Sequence, residues 1–347
     1  MEKTLSIIVP TYNMEKYLRK CLDSLIVSDE NMQRLEVLVI NDGSKDSSSQ
    51  IAHEYEAKYP QTFRVIDKEN GNYGSCVNRG LIEATGKYVK VLDADDTFAN
   101  NVFDSYLSFL SATNADLVIS PFDIVDEDGV LIKAIRFSLP SDQYFSLSAL
   151  SREEGFWLWH HAIAYKKELF KKFEYHQTER ISYSDEEWVF KPMTMVKDVV
   201  YFNQVLYLYL RGREGQTYDP KVLQKARDQK DKMVNALVEF YEKYKNKVID
   251  SGAASFMYDR IMMILSNMYK YYLFDSKTAE GSGIISGYDS QLKHKCNFLY
   301  EAMGQFLFKP KLRYNYIKRW RKVHYNQNDL CLSCYNGVYR IINLLKK

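Results

Sequence analysis

Three apolar runs in the first hundred residues, each followed by polar or turn residues, organise the N-terminal half of the chain. They are Leu5–Pro10, Leu35–Ile40 and Val89–Leu92. Runs of this length and composition are typical of strands that are buried on both faces of a parallel sheet. Met14–Val27 and Ser47–Tyr59, which lie between the runs, place apolar side chains at helical spacing. The alternation predicts an α/β fold with a mixed, mainly parallel sheet flanked by helices.

The apolar pattern changes after residue 218, where stripes at helical spacing replace the short runs. One stripe extends from Val222 to Tyr244 and another from Ile261 to Tyr272, and such stripes form the packed faces of helices. The glycine- and serine-rich segment Gly281–Gly287 is predicted to interrupt them as a loop. We therefore predict an α/β domain over residues 1–218 and a helical domain over residues 219–347.

Carboxylates follow two of the three predicted strands. Asp42 comes after the second run, and Asp93, Asp95 and Asp96 follow the third. Ligands of open α/β sheets bind beyond the carboxyl ends of the strands, so these side chains are expected to meet at one crevice. Crowded carboxylates repel one another and lose hydration, a cost that a hard cation such as Mg²⁺ or Mn²⁺ offsets. A turn in which Asp95 or Asp96 caps the next helix explains the same motif without a metal.

The order of four short motifs resembles that of the GT-A fold glycosyltransferases of family 2. The motifs lie at residues 8–13 (IVPTYN), 41–44 (NDGS), 69–80 (ENGNYGSCVNRG) and 84–96 (ATGKYVKVLDADD). The resemblance covers about the first 215 residues and implies a Rossmann-like GT-A sheet. It also implies transfer of a sugar, with inversion at the anomeric carbon, from a nucleotide diphosphate donor that is usually UDP-linked. The acceptor would be a hydroxyl of a glycan, of a cell-surface polysaccharide precursor, or of a lipid-linked or protein-linked sugar.

The resemblance assigns nucleotide-sugar contacts to residues of these motifs. Asp42 would accept the N–H of uracil, and Tyr12 would face the base after a turn that Pro10 fixes. Asp93 would contact ribose or the metal, and Asp95 would bind the metal, Mn²⁺ or Mg²⁺, directly. Asp96 is expected instead to cap the next helix. The other donor-side residues expected are Asn70, Gly74, Asn78 and Ala94.

Inversion requires a general base on the acceptor side, because the attacking hydroxyl must lose its proton. The segment Ile181–Phe190 resembles the Glu-Asp-x-x-Phe segment of the family. On this basis Asp185 corresponds to the catalytic aspartate, Ser184 replaces the preceding glutamate, and Glu186 is the second choice for the base. Three consecutive acids also suit the N-terminus of a helix.

Two more segments are assigned to the site. Tyr207–Thr217 resembles the family loop Y-x-Y-x-R-x-R, and Arg211 or Arg213 would close over the diphosphate, since arginine forks suit phosphates. A solvated basic loop is the alternative. Trp159 and His160 are assigned to the acceptor side because aromatic rings suit sugar rings, although tryptophans are also ordinary core residues. The histidine pair at 160–161 has no metal-ligand partners at helical spacing.

Composition excludes several other classes. A net charge of +2 gives no general case for a nucleic-acid partner, and no apolar run is long enough to span a membrane. The N-terminus lacks the features of a signal peptide, so the cytoplasm is the expected location. The five cysteines are scattered, and the pair Cys331 and Cys334 is interpreted as ordinary thiols.

The last segment, Gln305–Lys347, is strongly basic, with ten lysines and arginines against one acidic residue. Around Trp320 the basic residues share a predicted amphipathic helix, which suits the anionic inner face of the cell membrane. A helix packed within the fold, or a surface for self-association into a homo-oligomer, explains the pattern equally.

Three functions from different classes remain after the sequence analysis. The first is a metal-dependent, inverting glycosyltransferase. The second is a nucleotidyltransferase, which usually needs a glycine-rich loop with a lysine after the first strand; residues 10–17 contain no glycine and so provide no such loop. The third is a catalytically silent scaffold that binds sugar or nucleotide, and the joint presence of Asp42, Asp93, Asp95 and Asp185 argues against it.

Overall fold

The computed structural model describes residues 2–141, 143–152, 157–213, 216, 226–275, 279–305, 315–323 and 337. The chain forms two compact units. The first is Met1–Met233 with Asn246–Phe256, and the second is Val234–Lys245 with Met257–Lys347. The predicted domain boundary at residues 218 and 219 lies outside the described residues and stays a prediction.

Within the described residues, seven strands form the larger sheet of the first unit. They are β1 (Leu5–Thr11), β2 (Leu35–Asn41), β3 (Phe63–Asp67), β4 (Tyr88–Val91), β6 (Leu117–Ile119), β9 (Ile163–Lys166) and β10 (Val199–Tyr201). Their order is β10-β6-β9-β4-β1-β2-β3, and β9 runs antiparallel to its neighbours β4 and β6. The other neighbouring pairs are parallel. The prediction of a mixed, mainly parallel sheet is confirmed.

The register of the three central strands brings their carboxyl ends to one edge of the sheet. Thr11 at the end of β1 pairs with Asn41 at the end of β2, and Ile8 of β1 pairs with Val91 at the end of β4. β2 is buried over its whole length, as an uninterrupted apolar run predicts for a strand covered on both faces. The segments that leave β1, β2 and β4 therefore start side by side.

Helices connect these strands. They are α1 (Glu15–Asp23), α2 (Asp29–Arg34), α3 (Ser48–Lys58), α4 (Asn72–Glu83) and α5 (Asn100–Ala112). α1 and α3 lie within the two segments that apolar spacing predicted to be helical. α1 buries Leu18, Cys21 and Leu22, which share one face of the helix.

The turn between α4 and β4 is fixed by close packing and by buried hydrogen bonds. A Cβ added to Gly80 of α4 would come within 2.5 Å of the Ile8 side chain of β1, so glycine is needed for the helix to lie this close to the sheet. The Thr85 N–H donates to the buried Glu36 carboxylate at 2.7 Å, and the Ser6 hydroxyl donates to the same carboxylate. These bonds hold the start of β4, and therefore the aspartate motif that follows it, against β1 and β2.

Four further strands in the described part of the chain form a second sheet. They are β5 (Thr97–Phe98), β7 (Phe122–Val125), β8 (Leu131–Ile135) and β11 (Tyr207–Leu210), in the order β5-β11-β7-β8. The buried Asp96 accepts hydrogen bonds from the Tyr207 hydroxyl at 2.6 Å and the Leu210 N–H at 2.7 Å. The prediction that Asp96 caps the next helix is wrong, because its carboxylate joins β11 to the aspartate motif. α5 begins at Asn100 with Ala99 at its N-cap.

Shorter elements complete the first unit. A short helix, α6 (Asp185–Phe190), follows β9 along the chain. 3₁₀ turns lie at Leu147–Arg152, His160–Ala162, Lys167–Lys171 and Lys191–Met195. The His160–Ala162 turn enters β9 directly, so it carries the histidine pair to the edge of the larger sheet.

The described residues of the C-terminal part are mainly helical. Its helices are α7 (Arg227–Tyr244), α8 (Ser251–Lys270), α9 (Ala279–Lys295), α10 (Asn297–Gln305) and α11 (Tyr316–Val323), and a π-helical turn covers Tyr271–Asp275. The predicted loop at Gly281–Gly287 is wrong, because these residues lie inside α9. Ile285 is fully buried there, and this tertiary packing overrides the low helix propensity of the glycines.

α11 contains Trp320, for which the sequence left a membrane surface and a packed helix as alternatives. Trp320 is 1% exposed and its ring lies 6.2 Å from that of Tyr269. Arg321 pairs with Asp289 at 2.6 Å and lies over the Tyr300 ring. The apolar face of α11 is therefore packed within the second unit, as the packed-helix alternative requires. The rest of the basic tail lies outside the described residues.

No helix among the described residues combines the length and the apolar character that crossing a bilayer requires.

Candidate active site

The candidate site lies where β1, β2 and β4 end. The Asp42 N–H donates to the Thr11 carbonyl at 2.8 Å, and the Leu92 N–H donates to the Ile8 carbonyl at 3.0 Å. Tyr12 is 45% exposed at this edge. Pro10 pairs with Ile40 in the sheet register. Three of the predicted segments therefore start from neighbouring strands. This agrees with the strand-end rule, by which ligands of open α/β sheets bind beyond the carboxyl ends of the strands.

Asp42 is buried and fixes the start of α4. Its carboxylate accepts the N–H groups of Gly71 at 2.9 Å and Asn72 at 2.8 Å, and it pairs with Lys68 Nζ at 2.5 Å. The Asn70 amide donates to the Asp42 carbonyl at 3.1 Å. Asp42 and Asn70 thus brace the glycine-bearing loop, and their contacts with a nucleotide stay predictions.

Lys68 is a site residue that the sequence analysis missed. It directly follows β3, so the same strand-end rule could have found it. Phe63–Asp67 contains two charged residues, Arg64 and Asp67, however, and the segment lacks the continuous apolar character of the strands that were recognised.

Asn78 and Gly74 of α4 hold the segment that leads to Asp185. The Asn78 amide donates to the Gln177 carbonyl at 2.9 Å and its side-chain oxygen accepts the Gln177 N–H at 2.8 Å. A Cβ at Gly74 would collide with the Thr178 carbonyl. The Gln177 side chain donates in turn to the Ser184 carbonyl at 2.7 Å. Both predicted donor-side residues therefore position the segment before Asp185, and their contact with a nucleotide sugar stays a prediction.

Asp95 is paired with one of the two predicted arginines. Arg213 Nε donates to Asp95 Oδ2 at 2.5 Å, and the guanidinium lies 5.5 Å from the centroid of the Tyr17 ring. Burial raises the pKa of Asp95, an effect that the Arg213 charge opposes. The neighbouring Ala94 is buried. Arg211 is tied to the second sheet through its N–H, which donates to the Val125 carbonyl at 2.8 Å.

His160 lies between the two carboxylates that were predicted to bind the donor and to act as base. Its Nε2 is 3.2 Å from Asp93 Oδ2, and its Nδ1 is 3.7 Å from Asp185 Oδ2. Burial by itself lowers the pKa of His160, but the hydrogen bond with Asp93 and the charges of Asp93 and Asp185 raise it above its ordinary value. The assignment of His160 to the acceptor side stays a prediction, and the structure adds its contact with Asp93.

His161 packs in a group of aromatic rings. Its ring stacks on Tyr209 at 4.4 Å and lies 4.8 Å from Tyr207 and 3.8 Å from His160. Burial lowers the pKa of His161 well below its ordinary value, so the ring is neutral. Neither ring nitrogen has a hydrogen-bond partner in the described structure. Trp159 packs on the same group through Phe122, at 5.9 Å between ring centroids, and its contact with an acceptor stays a prediction.

Asp93, His160 and His161 form a group of side chains that could hold a metal ion. Their ligand atoms lie within 4.8 Å of one another, and Asp93 Oδ1 is a buried oxygen without a hydrogen-bond partner in the described structure. One carboxylate with imidazole nitrogens is a chemically suitable set for a divalent transition ion. The sequence analysis found no metal-ligand partner for the histidine pair at helical spacing, and the structure brings Asp93 to it from a distant part of the chain, which sequence spacing cannot reveal.

The three consecutive acids at 185–187 have separate environments. The Asp185 side chain is 43% exposed, whereas Glu187 is fully buried, pairs with Lys191 at 2.5 Å and accepts the Thr178 N–H at 3.0 Å. Glu187 is therefore structural, and Asp185 is the acid that both contacts His160 and stays accessible. The hydroxyl of Tyr73, a residue that the sequence analysis missed, is buried close by. Burial and the charges of Asp93 and Asp185 raise the pKa of its hydroxyl.

Lys90 is a further charged residue that the sequence analysis missed. It is fully buried in β4, and its Nζ donates to the His161 carbonyl at 2.7 Å and the Ile163 carbonyl at 3.1 Å. Burial lowers its pKa to about 7. A lysine within an apolar strand is a signal that could have found it, because buried ammonium groups need acceptors. Lys90 fixes the turn that carries the histidine pair.

Known proteins resemble this chain in sequence. The model described as "Glycosyl transferase family 2" matches residues 6–173. MG025 of Mycoplasma genitalium, named an uncharacterized glycosyltransferase, is 29% identical over 219 residues, which is 61% of this chain and 69% of that protein. GlyG of Streptococcus pneumoniae, named a glycosyltransferase, is 27% identical over 230 residues, or 62% of this chain and 73% of GlyG. The match to the MG025 homologue of Mycoplasma pneumoniae, at 38% identity, spans only 38% of that protein.

The fold also resembles that of a solved protein. The structure of S. aureus TarS 1–349 in complex with UDP-GlcNAc superposes with a TM-score of 0.64 at 18% sequence identity, covering 85% of this chain and 82% of that one. A second TarS structure, in complex with UDP, gives a TM-score of 0.63. At this level of identity the likeness shows a shared fold, which agrees with the predicted GT-A fold.

Proposed function

Because the chain belongs to glycosyl transferase family 2, we propose that it transfers a sugar from a UDP-sugar to a hydroxyl group with inversion. The acceptor would be a glycan, a cell-surface polysaccharide precursor, or a lipid-linked or protein-linked sugar. One observation carries this proposal: His160 contacts both Asp93 and Asp185. The aspartate motif and the proposed base, which lie on different segments, therefore meet at one place.

Asp93 and Asp95 are the residues that would hold Mn²⁺ or Mg²⁺. When bound, such a cation neutralises the charge that builds on the leaving diphosphate. Asp95 is already paired with Arg213, so the arginine is held beside the position proposed for the diphosphate. A guanidinium suits phosphate oxygens in a bidentate arrangement, which supports a role for Arg213 in binding the donor.

Asp185 is the proposed general base. The acceptor oxygen forms a bond to the anomeric carbon while the bond from that carbon to the UDP oxygen breaks. The electron pair of the broken bond leaves with UDP, and the hydroxyl proton passes to the Asp185 carboxylate. The partial exposure of Asp185 lets an acceptor reach it, and its contact with His160 orients the carboxylate towards the aspartate motif.

The donor-side proposal includes recognition of uracil by Asp42. Asp42 Oδ1 accepts bonds from Lys68 and Gly71, and Oδ2 accepts one from Asn72. The uracil N–H would therefore donate a further hydrogen bond to Oδ2, with the exposed Tyr12 ring nearby. Structures of TarS with UDP-GlcNAc and with UDP share this fold, which makes UDP-sugars the first donors to test.

UDP release tests the proposal. The full-length protein would be incubated with a panel of UDP-sugars and soluble glycan acceptors, with Mn²⁺, with Mg²⁺ and with EDTA. We expect UDP release that depends on the acceptor and stops with EDTA. Release of sugar 1-phosphate instead of UDP would indicate nucleotidyl transfer, because moving the UMP group breaks the bond between the two phosphates. Binding of UDP-sugar without release of either product under any condition would indicate a silent scaffold. The cytoplasmic location expected from the sequence stays a prediction, and the packed Trp320 offers no apolar anchor for a membrane contact.

A further inference from the structure

The imidazole of His160 faces a carboxylate at each nitrogen. Nδ1 is 3.7 Å from Asp185 Oδ2 and Nε2 is 3.2 Å from Asp93 Oδ2. A neutral imidazole has one N–H group and one lone pair. With the N–H on Nε2, the ring donates a hydrogen bond to Asp93. With the N–H on Nδ1, directed to Asp185, the Nε2 lone pair faces a carboxylate oxygen of Asp93. In this second tautomer the two electron-rich atoms need a positive charge between or beside them, which a cation can supply.

The separation of these two atoms suits neighbouring ligands of one cation. Two ligand atoms at about 2.1 Å from an octahedral ion, at right angles to each other, are about 3.0 Å apart. The Nε2–Oδ2 distance of 3.2 Å is close to this value. A small adjustment of either side chain would therefore let both atoms bind the same ion.

Other polar atoms around this point are consistent with a ligand there. Asp93 Oδ1 is buried and has no hydrogen-bond partner in the described structure. Asp95, the second acid of the motif, is paired with Arg213 at 2.5 Å. While that pair is intact, Asp95 is a weaker candidate for the metal, and a further ligand beside Asp93 is needed to hold the ion.

Resting on the function proposed above, we propose that His160 Nε2 binds the metal ion next to Asp93, and that the enzyme consequently prefers Mn²⁺ to Mg²⁺. Imidazole nitrogen suits transition ions, whereas Mg²⁺ prefers oxygen ligands. A ligating histidine usually donates its other N–H to a carboxylate, which fixes its tautomer and orientation. Asp185 occupies that position, so a single ring joins the metal site to the proposed base.

His161 is the other nearby imidazole, and its position argues against ligation. Its Nε2 is 4.0 Å from Asp96 Oδ2, and its ring packs against Tyr209 and Tyr207. Among the described residues, neither Asp93 nor Asp185 forms a hydrogen bond with Nδ1, the second ring nitrogen of His161. Phenylalanine preserves the ring packing at this position, so His161→Phe is a matched control for the removal of one imidazole from the site.

Pulsed electron paramagnetic resonance of Mn²⁺ tests the ligation directly. The full-length protein would be loaded with Mn²⁺ and UDP in a buffer without nitrogen ligands. We expect modulation from a directly bound ¹⁴N nucleus in the wild type and in His161→Phe, and its loss in His160→Gln. The glutamine amide nitrogen can still donate a hydrogen bond to Asp93, so a residue that only holds Asp93 by a hydrogen bond would be replaced with little effect on Mn²⁺ binding. Calorimetry on the same proteins should show that His160→Gln reduces the preference for Mn²⁺ over Mg²⁺ by about tenfold or more.

Two results would overturn this assignment. A wild-type Mn²⁺–UDP complex without nitrogen coupling would mean that His160 only clamps the two carboxylates. Coupling that persists in His160→Gln and disappears in His161→Phe would assign the ligand to His161. Failure of the proposed function looks different: no UDP release from any UDP-sugar and no metal-dependent UDP binding. A protein that turns over with Mn²⁺ but lacks nitrogen coupling refutes the ligation alone.

Discussion

The environments of the three acids at 185–187 determine which of them can act on an acceptor. Glu187 is fully buried and forms an ion pair with Lys191, so its carboxylate has a structural role. Asp185 is partly exposed and contacts His160. Carboxylates at neighbouring positions thus have different uses, because Glu187 is enclosed in the fold whereas Asp185 combines access to solvent with contact to the site.

We expect Asp185→Asn to lower the transfer rate by about a hundredfold or more, the scale of general-base catalysis. The affinity for UDP and Mn²⁺ should stay within about twofold of wild type, because the substitution leaves the donor-side carboxylates in place. Transfer rates and calorimetry on the same preparation measure both quantities. Glu186→Gln is the matched control; if it abolishes transfer while Asp185→Asn does not, Glu186 is the base.

At the residue scale, a polar side chain directly after a predicted strand was the signal by which the sequence indicated site residues. The rule found Asp42, Asp93 and Asp95 because each follows a continuous apolar run. It could not find Tyr73 or His161, whose relevance depends on which distant segments meet in the folded chain. Asp96 was misjudged because its acceptors, the Tyr207 hydroxyl and the Leu210 N–H, come from a strand more than a hundred positions away.

At the scale of elements, a histidine ties α3 to the end of β3. His53 of α3 lies 2.9 Å from Asp67 Oδ2 and 2.8 Å from Glu56 Oε2. Hydrogen bonds to Asp67 and Glu56 raise the pKa of His53 above its ordinary value. The charged ring is therefore favoured in the folded state, and the contribution to stability is fully present below the unfolded pKa. It is lost as the pH rises through the higher folded pKa.

His53→Asn should accordingly lower the melting temperature at pH 5.5 and leave it nearly unchanged at pH 8.5. The difference in free energy of unfolding should be below about 1 kcal/mol, because the pair is partly exposed. Thermal melts of both proteins at the two pH values measure it. A larger loss at the higher pH would contradict the sign derived from the raised pKa.

Two glycines in helices should respond to alanine in opposite ways. A Cβ at Gly74 of α4 would collide with the Thr178 carbonyl, whereas a Cβ at Gly283 of α9 meets nothing within 4 Å. Gly74→Ala should cost about 1–3 kcal/mol of stability and slow transfer, since Thr178 belongs to the segment before Asp185. Gly283→Ala should stabilise by about 0.5–1 kcal/mol, because alanine favours a helix over glycine.

Chemical denaturation and transfer assays on these two variants measure the effects. A Gly74→Ala protein with wild-type stability and rate would show that the segment before Asp185 shifts without consequence. Loss of stability in Gly283→Ala would contradict the helical assignment of Gly281–Gly287, the segment that sequence analysis took for a loop. Glycine content favours a loop locally, but burial of the Ile285 side chain stabilises the helix, and composition does not reveal this packing.

At the scale of the whole molecule, the sequence predicted the α/β half better than the helical half. Continuous apolar runs specify buried strands, and the shared edge of parallel strands then predicts the site. Helical stripes show that a face is buried but do not identify what covers it. The second sheet was missed because its strands are short and come from distant segments. Self-association through residues 219–347 stays a prediction, which light scattering on the full chain would test.

In the basic tail, too, the sequence does not identify what covers the apolar face of a helix, because the same amphipathic pattern suits a membrane surface and a packed helix. Trp320, Tyr316 and Ile317 are all buried within the second unit. Trp320→Ala should therefore cost about 3–5 kcal/mol, the scale of removing a large aromatic side chain from a core. Sedimentation with anionic vesicles, if it occurs through exposed lysines and arginines, should be abolished by high salt and unaffected by Trp320→Phe. A Trp320→Ala protein that melts like the wild type but no longer sediments with vesicles would instead assign the tryptophan to a membrane surface.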